Sequence, residues 1–303
     1  MWRYVIKRVI LAVITIAVVS LITFFVMNAV PGGPFTKEKA PSPRVQAVLE
    51  ARFHLIEPLF KRFVIYFEGF FKGDLGISLK TGREVATTIK TGFAVSAKIG
   101  LMAAGLAVVV GLTLGMIAAL NRNKWPDRVI IFLTTFFVSV PSFILATFLL
   151  LIFTVTLKWI KIFDINNPNY VLPVISLALY PMSYITRLTK SSMLDVLGQD
   201  YIRTARAKGV SSFKVIAKHA LKNGLLPIIT YLGPMLAFIL TGSMVVENVF
   251  AIGGLGSEFV MSINNRDYSL IMGITIFLAI VMIILTLVSD LLYKVFDPRI
   301  TFD

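Results

Sequence analysis

Few residues in this chain are of a type that makes or breaks bonds, and their spacing excludes most such chemistry. There is no cysteine among the 303 residues, which removes thiolate catalysis, thiolate metal sites and disulfides. The two histidines, His54 and His219, stand far apart, and no HExxH or related metal spacing occurs. No Gly-x4-Gly-Lys-Ser/Thr loop is present, so the chain does not hold ATP by that chemistry. Lys98, Arg187, Glu247 and Asp290 lie near the ends of apolar runs, a placement that predicts anchoring at the headgroups. With no charge expected at mid-membrane, a proton- or sodium-driven carrier is disfavoured. A membrane enzyme is disfavoured too, because no convergent nucleophile–base or metal set is found. No catalytic, cofactor-binding or metal-ligating residue is assigned.

The sharpest local pattern lies in residues 186–224. Asp200 reads as the N-cap of a short helix through Tyr201, Ala205, Arg206 and Lys208. Gly209 then stops it, since glycine takes the left-handed conformation without a Cβ clash. Ser211 or Ser212 caps a second helix, to residue 222. In it Phe213, Ile216, Ala217, Ala220 and Leu221 fall at helical spacing as one apolar stripe, with Lys214, Lys218 and Lys222 opposite. The stripe needs a partner: the protein's own helices, the lipid interface or another protein.

The elements that must position this hairpin are apolar. The chain is 57% hydrophobic and 15% charged, against about 45–50% and about 25% in a soluble protein. The surplus sits in six runs: Val9–Val30, Phe93–Leu120, Val129–Leu157, Tyr170–Ile185, Leu225–Val246 and Leu270–Tyr293. Five have the length of a membrane span, and the fourth, Tyr170–Ile185, is short and holds Pro173 and Pro181. The first is too long for the apolar core of a signal peptide and lacks a cleavage site. Placing both termini in the cytoplasm gives sixteen Lys/Arg in the inner segments, against three in the two short outer loops. The net charge of +14 thus reads as orientation rather than nucleic-acid binding. The fold class expected is an all-α polytopic membrane protein with six transmembrane helices. Its parts are a cytoplasmic stub with the first span (1–30), an extracytoplasmic region (31–92) and a five-helix core (93–303) carrying the loop 186–224.

Residues 31–92 are too long for a simple connection. Pro31-Gly32-Gly33-Pro34 opens the segment as a turn. From Ser42 to Phe71, Val45, Val48, Leu49 and Phe53, then Phe60, Phe63, Val64 and Phe67, predict amphipathic helices over the outer mouth. Gly73-Asp74-Leu75-Gly76 reads as a turn. Within the core, Gly111 and Gly115 form a GxxxG that permits close helix approach. Pro141, Pro181 and Pro234 interrupt three spans, as in helices that line moving pathways.

The loop 186–224 resembles the conserved cytoplasmic loop of ABC importer permeases, whose pattern runs Glu-Ala-Ala, three residues, Gly, nine residues, Ile-x-Leu-Pro. Ala205, Gly209 and Leu221 match it. Arg203-Thr204-Ala205-Arg206-Ala207-Lys208-Gly209, His219-Ala220-Leu221 and Leu226-Pro227 are similar to the B-type branch of oligopeptide, dipeptide and nickel importers. So are Pro31-Gly32-Gly33-Pro34-Phe35, Gly73-Asp74-Leu75-Gly76, Val140-Pro141-Ser142-Phe143, Thr241-Gly242-Ser243 with Glu247, Asn265-Arg266-Asp267-Tyr268 and Asp297-Pro298-Arg299. Gly253 departs from the branch, which has proline before Gly254-Leu255-Gly256.

The resemblance implies a type I importer permease in the cytoplasmic (inner) membrane of a bacterium or archaeon, with oligopeptides as the cargo most similar. Dipeptides, glutathione or a nickel–chelator complex are the alternatives. It implies a second homologous permease, two ATP-binding cassette subunits that carry ATP and magnesium, an extracytoplasmic peptide-binding protein, and membrane lipid around them. It makes 200–208 and 212–222 coupling helices, with Asp200, Ala205, Arg206, Lys208, Gly209, Phe213, Ile216, Ala217 and Leu221 at the ATPase contact. Pathway or outer-gate positions are Pro141, Thr241, Ser243, Glu247, Gly254, Gly256, Asn265, Arg266 and Asp267.

Overall fold

A computed structural model describes residues 2–31, 33–35, 50, 55–164 and 167–296. Gly32, the amphipathic-pattern residues Val45, Val48, Leu49 and Phe53, His54 and the Asp297-Pro298-Arg299 motif lie outside the described residues. Those described are almost wholly helical, apart from one isolated antiparallel bridge between Ile77 and Glu84.

The helices are α1 (Trp2–Ala29), α2 (Leu59–Phe71), α3 (Val85–Leu120), α4 (Trp125–Ser139), α5 (Ser142–Leu149) and α6 (Val171–Leu197). They continue with α7 (Asp200–Ala207), α8 (Ser212–Lys214), α9 (Leu221–Gly224), α10 (Leu226–Gly242), α11 (Met244–Val249), α12 (Leu255–Asn265) and α13 (Tyr268–Phe296). Two π-helical segments, Leu150–Thr156 and Val215–Ala220, extend α5 and join α8 to α9. Five helices are long and apolar enough to cross a membrane, and a sixth crossing is counted if the bent pair α4–α5 is one span.

That bend corrects the reading of residues 129–157 as one continuous span. The helix axis turns by 105° between Ser139 and Ser142. Proline at 141 drives its predecessor Val140 out of the helical region into extended backbone, with ψ 127°. Pro181 behaves differently. It sits inside α6, which stays helical for 27 residues, twelve beyond the predicted end at Ile185. Pro234 likewise lies inside α10.

The chain divides into two compact units, residues 1–95 with 253–283, and residues 96–252 with 284–303. In the first, Phe24 and Met27 of α1 pack with Tyr268, Met272 and Ile276 of α13, and Phe63, Tyr66 and Phe70 of α2 close over them. The inward face of α2 is therefore the 63/66/70 stripe. Phe60, expected to face inward with Phe63, is 69% exposed, because it lies off the side of the helix on which Phe63, Tyr66 and Phe70 meet the cluster. The turn at Gly73–Gly76 forms as expected: both glycines take positive φ, and Asp74 Oδ1 accepts the Gly76 N–H at 2.8 Å.

In the second unit α6 is the hub, packed against α4, α5, α9 and α10. The GxxxG of α3 meets it: a Cβ at Gly111 would lie 2.8 Å from Ile185 Cγ2, and one at Gly115 would lie 2.7 Å from the Thr186 carbonyl oxygen. Only glycine allows the two backbones to approach so closely.

Candidate functional site

The hairpin of residues 200–224 begins one residue earlier than the sequence suggested. Gln199 holds the N-cap position with extended backbone, and Asp200 is the first helical residue. The Asp200 carboxylate makes no capping bond; it faces Arg203 at 3.6 Å on an open surface. Its charge still complements the helix N-terminus. Gly209 takes φ +75°, the left-handed corner expected of it. Across the corner, Asn223 Nδ2 donates to the Tyr201 hydroxyl at 2.9 Å, tying the returning strand of the hairpin to α7.

The apolar stripe of the second limb is split in two. Residues 215–220 form i→i+5 bonded π-helix, whose wider turn shifts the spacing of its faces from the α-helical one. Val215, Ile216, Ala220 and Leu221 pack on Ala119, Met193, Ile202 and Ala205. Phe213 and Ala217 are turned outward, and Phe213 is 79% exposed. One part of the stripe thus packs on the protein itself, and the other presents an unpartnered ring. Arg206 and Lys208 are exposed on the first limb, and Ala205 is buried.

The pathway candidates fall into separate groups. In the second unit, Ser96 Oγ donates to Glu247 Oε1 at 2.6 Å and Ser243 Oγ donates to the same oxygen. Glu247 is 1% exposed. Headgroup anchoring, expected from its place at a span end, is therefore corrected: the helix breaks at Ser243, and α11 turns the carboxylate inward onto two hydroxyls. Pro141 makes the α4–α5 elbow, and Thr241 lies in α10 with its side chain outside the described set.

In the first unit, Gly254 caps α12 and Gly256 is buried in its first turn; a Cβ at Gly92 would meet the Leu255 backbone at 3.1 Å. Asn265 ends α12 exposed. Arg266 takes left-handed backbone, φ 55°, and donates from Nη1 to the Pro31 carbonyl at 2.9 Å. Asp267 is buried. It accepts from Ser78 Oγ, from the Leu79 N–H at 3.1 Å and from the Leu270 N–H at 3.3 Å, and so caps α13. These contacts make Arg266 and Asp267 fasteners between α13 and two points of the segment 31–92, Pro31 and Ser78–Leu79. A cavity of about 320 Å³ beside them is lined by Phe24, Arg62, Tyr66, Asp74 and Tyr268. Burial, and secondarily Asp74, raises the Tyr66 phenol above its ordinary pKa, so it stays protonated.

One pair escaped the sequence reading. Lys190 Nζ lies 2.5 Å from Asp127 Oδ1, and the Asn123 N–H donates to Asp127 Oδ2 at 2.9 Å. This ties the start of α4 to α6. Neither residue stood out alone; the signal available was an acid beside Pro126 at a helix start and a base one turn past Thr186.

Among the described residues no group of three or more His, Asp or Glu is placed to hold a metal.

This chain matches two family models: residues 111–302 match binding-protein-dependent transport system inner membrane component, and residues 1–99 match the N-terminal membrane component of such systems. It is 47% identical to the dipeptide transport system permease protein of Bacillus subtilis, over 99% of this chain and 98% of that one. It is 42% identical to the oligopeptide transport system permease protein of Haemophilus influenzae, over the whole of both chains. In fold it is similar to a chain of the MetNI methionine ABC transporter in an inward-facing conformation, at TM-score 0.57 and 16% identity, covering 70% of this chain and 97% of that one. A chain of an amino acid ABC transporter matches at TM-score 0.53 and 17% identity, covering 71% and 95%. With these matches and its multi-pass helical architecture, the chain belongs to the inner membrane components of binding-protein-dependent transport systems, the permeases of ABC importers.

Proposed function

We propose that this chain is the pore-forming subunit of an ATP-driven importer of oligopeptides, working beside a second homologous permease. Two separate ATP-binding cassette subunits bind ATP and magnesium, and an extracytoplasmic binding protein delivers the peptide. The observation that carries the coupling step is the hairpin at 200–224: one face is locked to α6 through Met193, Ile202 and Val215, and the other offers Phe213 to a partner. A rigid element fastened on one side and docked on the other passes a rigid-body movement of the ATPase into α6. Asp200, Arg206 and Lys208 surround that contact with charge. The positive-inside distribution supports placing the hairpin and both termini in the cytoplasm.

The identity to the Bacillus subtilis dipeptide permease favours a second reading, in which the cargo is a dipeptide. Reconstitution with the cognate second permease, ATPases and binding protein tests both. Proteoliposomes should take up labelled peptides only with ATP and binding protein together. Uptake without ATP would refute the importer reading. Competition by unlabelled peptides of two to five residues ranks the cargo; competition by dipeptide alone selects the second reading.

A further inference from the structure

Helix α6 is the least apolar of the candidate spans and the most buried, yet one stripe along it is open. Tyr180, Tyr184, Arg187, Ser191 and Asp195 are exposed, at spacings of four, three, four and four residues, so they share one face. Every member carries a polar or charged group. Between Lys98 and the end of α3 in the same unit, the open face is mostly of the opposite kind: Leu101, Met102, Val109, Ile117 and Leu120 suit lipid, and the one exposed hydroxyl there, Thr113, donates to the Val109 carbonyl within its own helix. The 27 residues of α6 span about 40 Å, and about 20 residues suffice for the hydrocarbon core. Whichever end projects, Tyr180, Tyr184 and Arg187 remain at hydrocarbon depth. Two phenol hydroxyls and a guanidinium on one open face at that depth are costly against lipid. Arg187 and Asp195 make no ion pair among the described residues, and they stand about 12 Å apart along the axis, too far to neutralise each other. Behind the stripe the Tyr184 ring packs on Tyr231 of α10, with centroids 4.3 Å apart, which holds it in place.

We propose that this stripe is the chain's contribution to the wall of a water-filled passage. Arg187 gives that wall a local preference for anionic groups, such as the carboxylate of a peptide in transit. The proposal rests on the permease reading above. Its chemistry does not depend on the buried Glu247 or on the coupling hairpin.

The natural absence of cysteine makes the test direct. Tyr184→Cys and Ser191→Cys are introduced singly, with Val109→Cys as the lipid-facing control, in the full transporter reconstituted in proteoliposomes. Small hydrophilic thiol reagents of either charge are applied with and without nucleotide. Tyr184→Cys and Ser191→Cys should react in at least one nucleotide state, and Val109→Cys in none. At Tyr184→Cys an anionic reagent should react about tenfold faster than a cationic one after correction for their rates with free thiol, and Arg187→Gln should remove that preference. Reactivity no greater than at Val109→Cys in every state would overturn the passage wall and point to a face covered by the second permease. Reactivity with no charge preference would overturn the role of Arg187. Uptake by the cysteine-free parent, measured in the same vesicles, separates these results from the permease reading: a parent that imports no peptide refutes that reading whatever the labelling shows.

Discussion

Helices α1 and α6 both have the length of a membrane span, and they expose opposite chemistry. On α1, from Val9 onward, the open residues are Ile10, Val13, Ile14, Val18, Leu21 and others of their kind, with one hydroxyl, Thr15, bonded back to the Leu11 carbonyl. On α6, past its first residue Val171, they are Tyr180, Tyr184, Arg187, Ser191 and Asp195. Exposure alone therefore says nothing about environment; the atoms exposed decide it. An apolar open face is at rest in lipid, whereas a polar one needs water or protein. The comparison is broken most forcefully by moving the chemistry. Val18→Arg places a charge at the centre of the α1 lipid face and should cost about 2.5–3.5 kcal/mol of insertion. Membrane-integrated yield, read by protection from alkaline extraction, should fall sharply. Wild-type yield would mean that this face of α1 is covered by protein.

A smaller effect separates charges within α6 itself. Lys190 is neutralised by Asp127, which is 4% exposed, whereas Arg187 three residues earlier is open. Asp127→Ala removes the partner and leaves an ammonium with limited access to water. Losing one member of a fully buried pair costs about 3–5 kcal/mol; the Lys190 side chain is 21% exposed, so about 2–3 kcal/mol is expected here. Thermal unfolding of the detergent-solubilised complex should drop by several degrees, and Asp127→Asn should lose less, since it keeps the bond from the Asn123 N–H. An unchanged midpoint for Asp127→Ala would place Lys190 in water, beside Arg187.

Much of this architecture was legible in the sequence, because long apolar runs leave the backbone no alternative to helix in a membrane. The Gly209 corner and the GxxxG contact were legible for the same reason: each is a position where a Cβ has no room or no allowed conformation. Three features were not. The Pro141 bend depends on whether neighbours hold a proline inside a helix, as they do at Pro181, or let the chain turn. The inward swing of Glu247 depends on Ser96, which is 151 residues away. The α6 stripe was hidden because its polar residues ended the apolar run at Ile185, so half the helix read as loop.

The hairpin gives the comparison its last and smallest test. Phe213 is as apolar as anything open on α1, and it is more exposed than Val18, at 79% against 49%. Its helix, however, carries Lys214 beside it, with Lys218 and Lys222 farther along, a setting unlike the uncharged α1 face. The π-helical register leaves Phe213 outside the packed set formed by Val215, Ile216, Ala220 and Leu221. Phe213→Asp should therefore leave the melting point of the isolated permease within about 0.5 kcal/mol of the parent, the usual range for an open surface site. The same change should cut the amount of ATPase that co-purifies, because a carboxylate then replaces the apolar group that the proposed contact buries. Ile216→Asp distinguishes the two halves of the stripe, since it should lower both stability and co-purification. Phe213→Asp with full ATPase recovery would return this ring to the class of the α1 residues, exposed because it meets lipid.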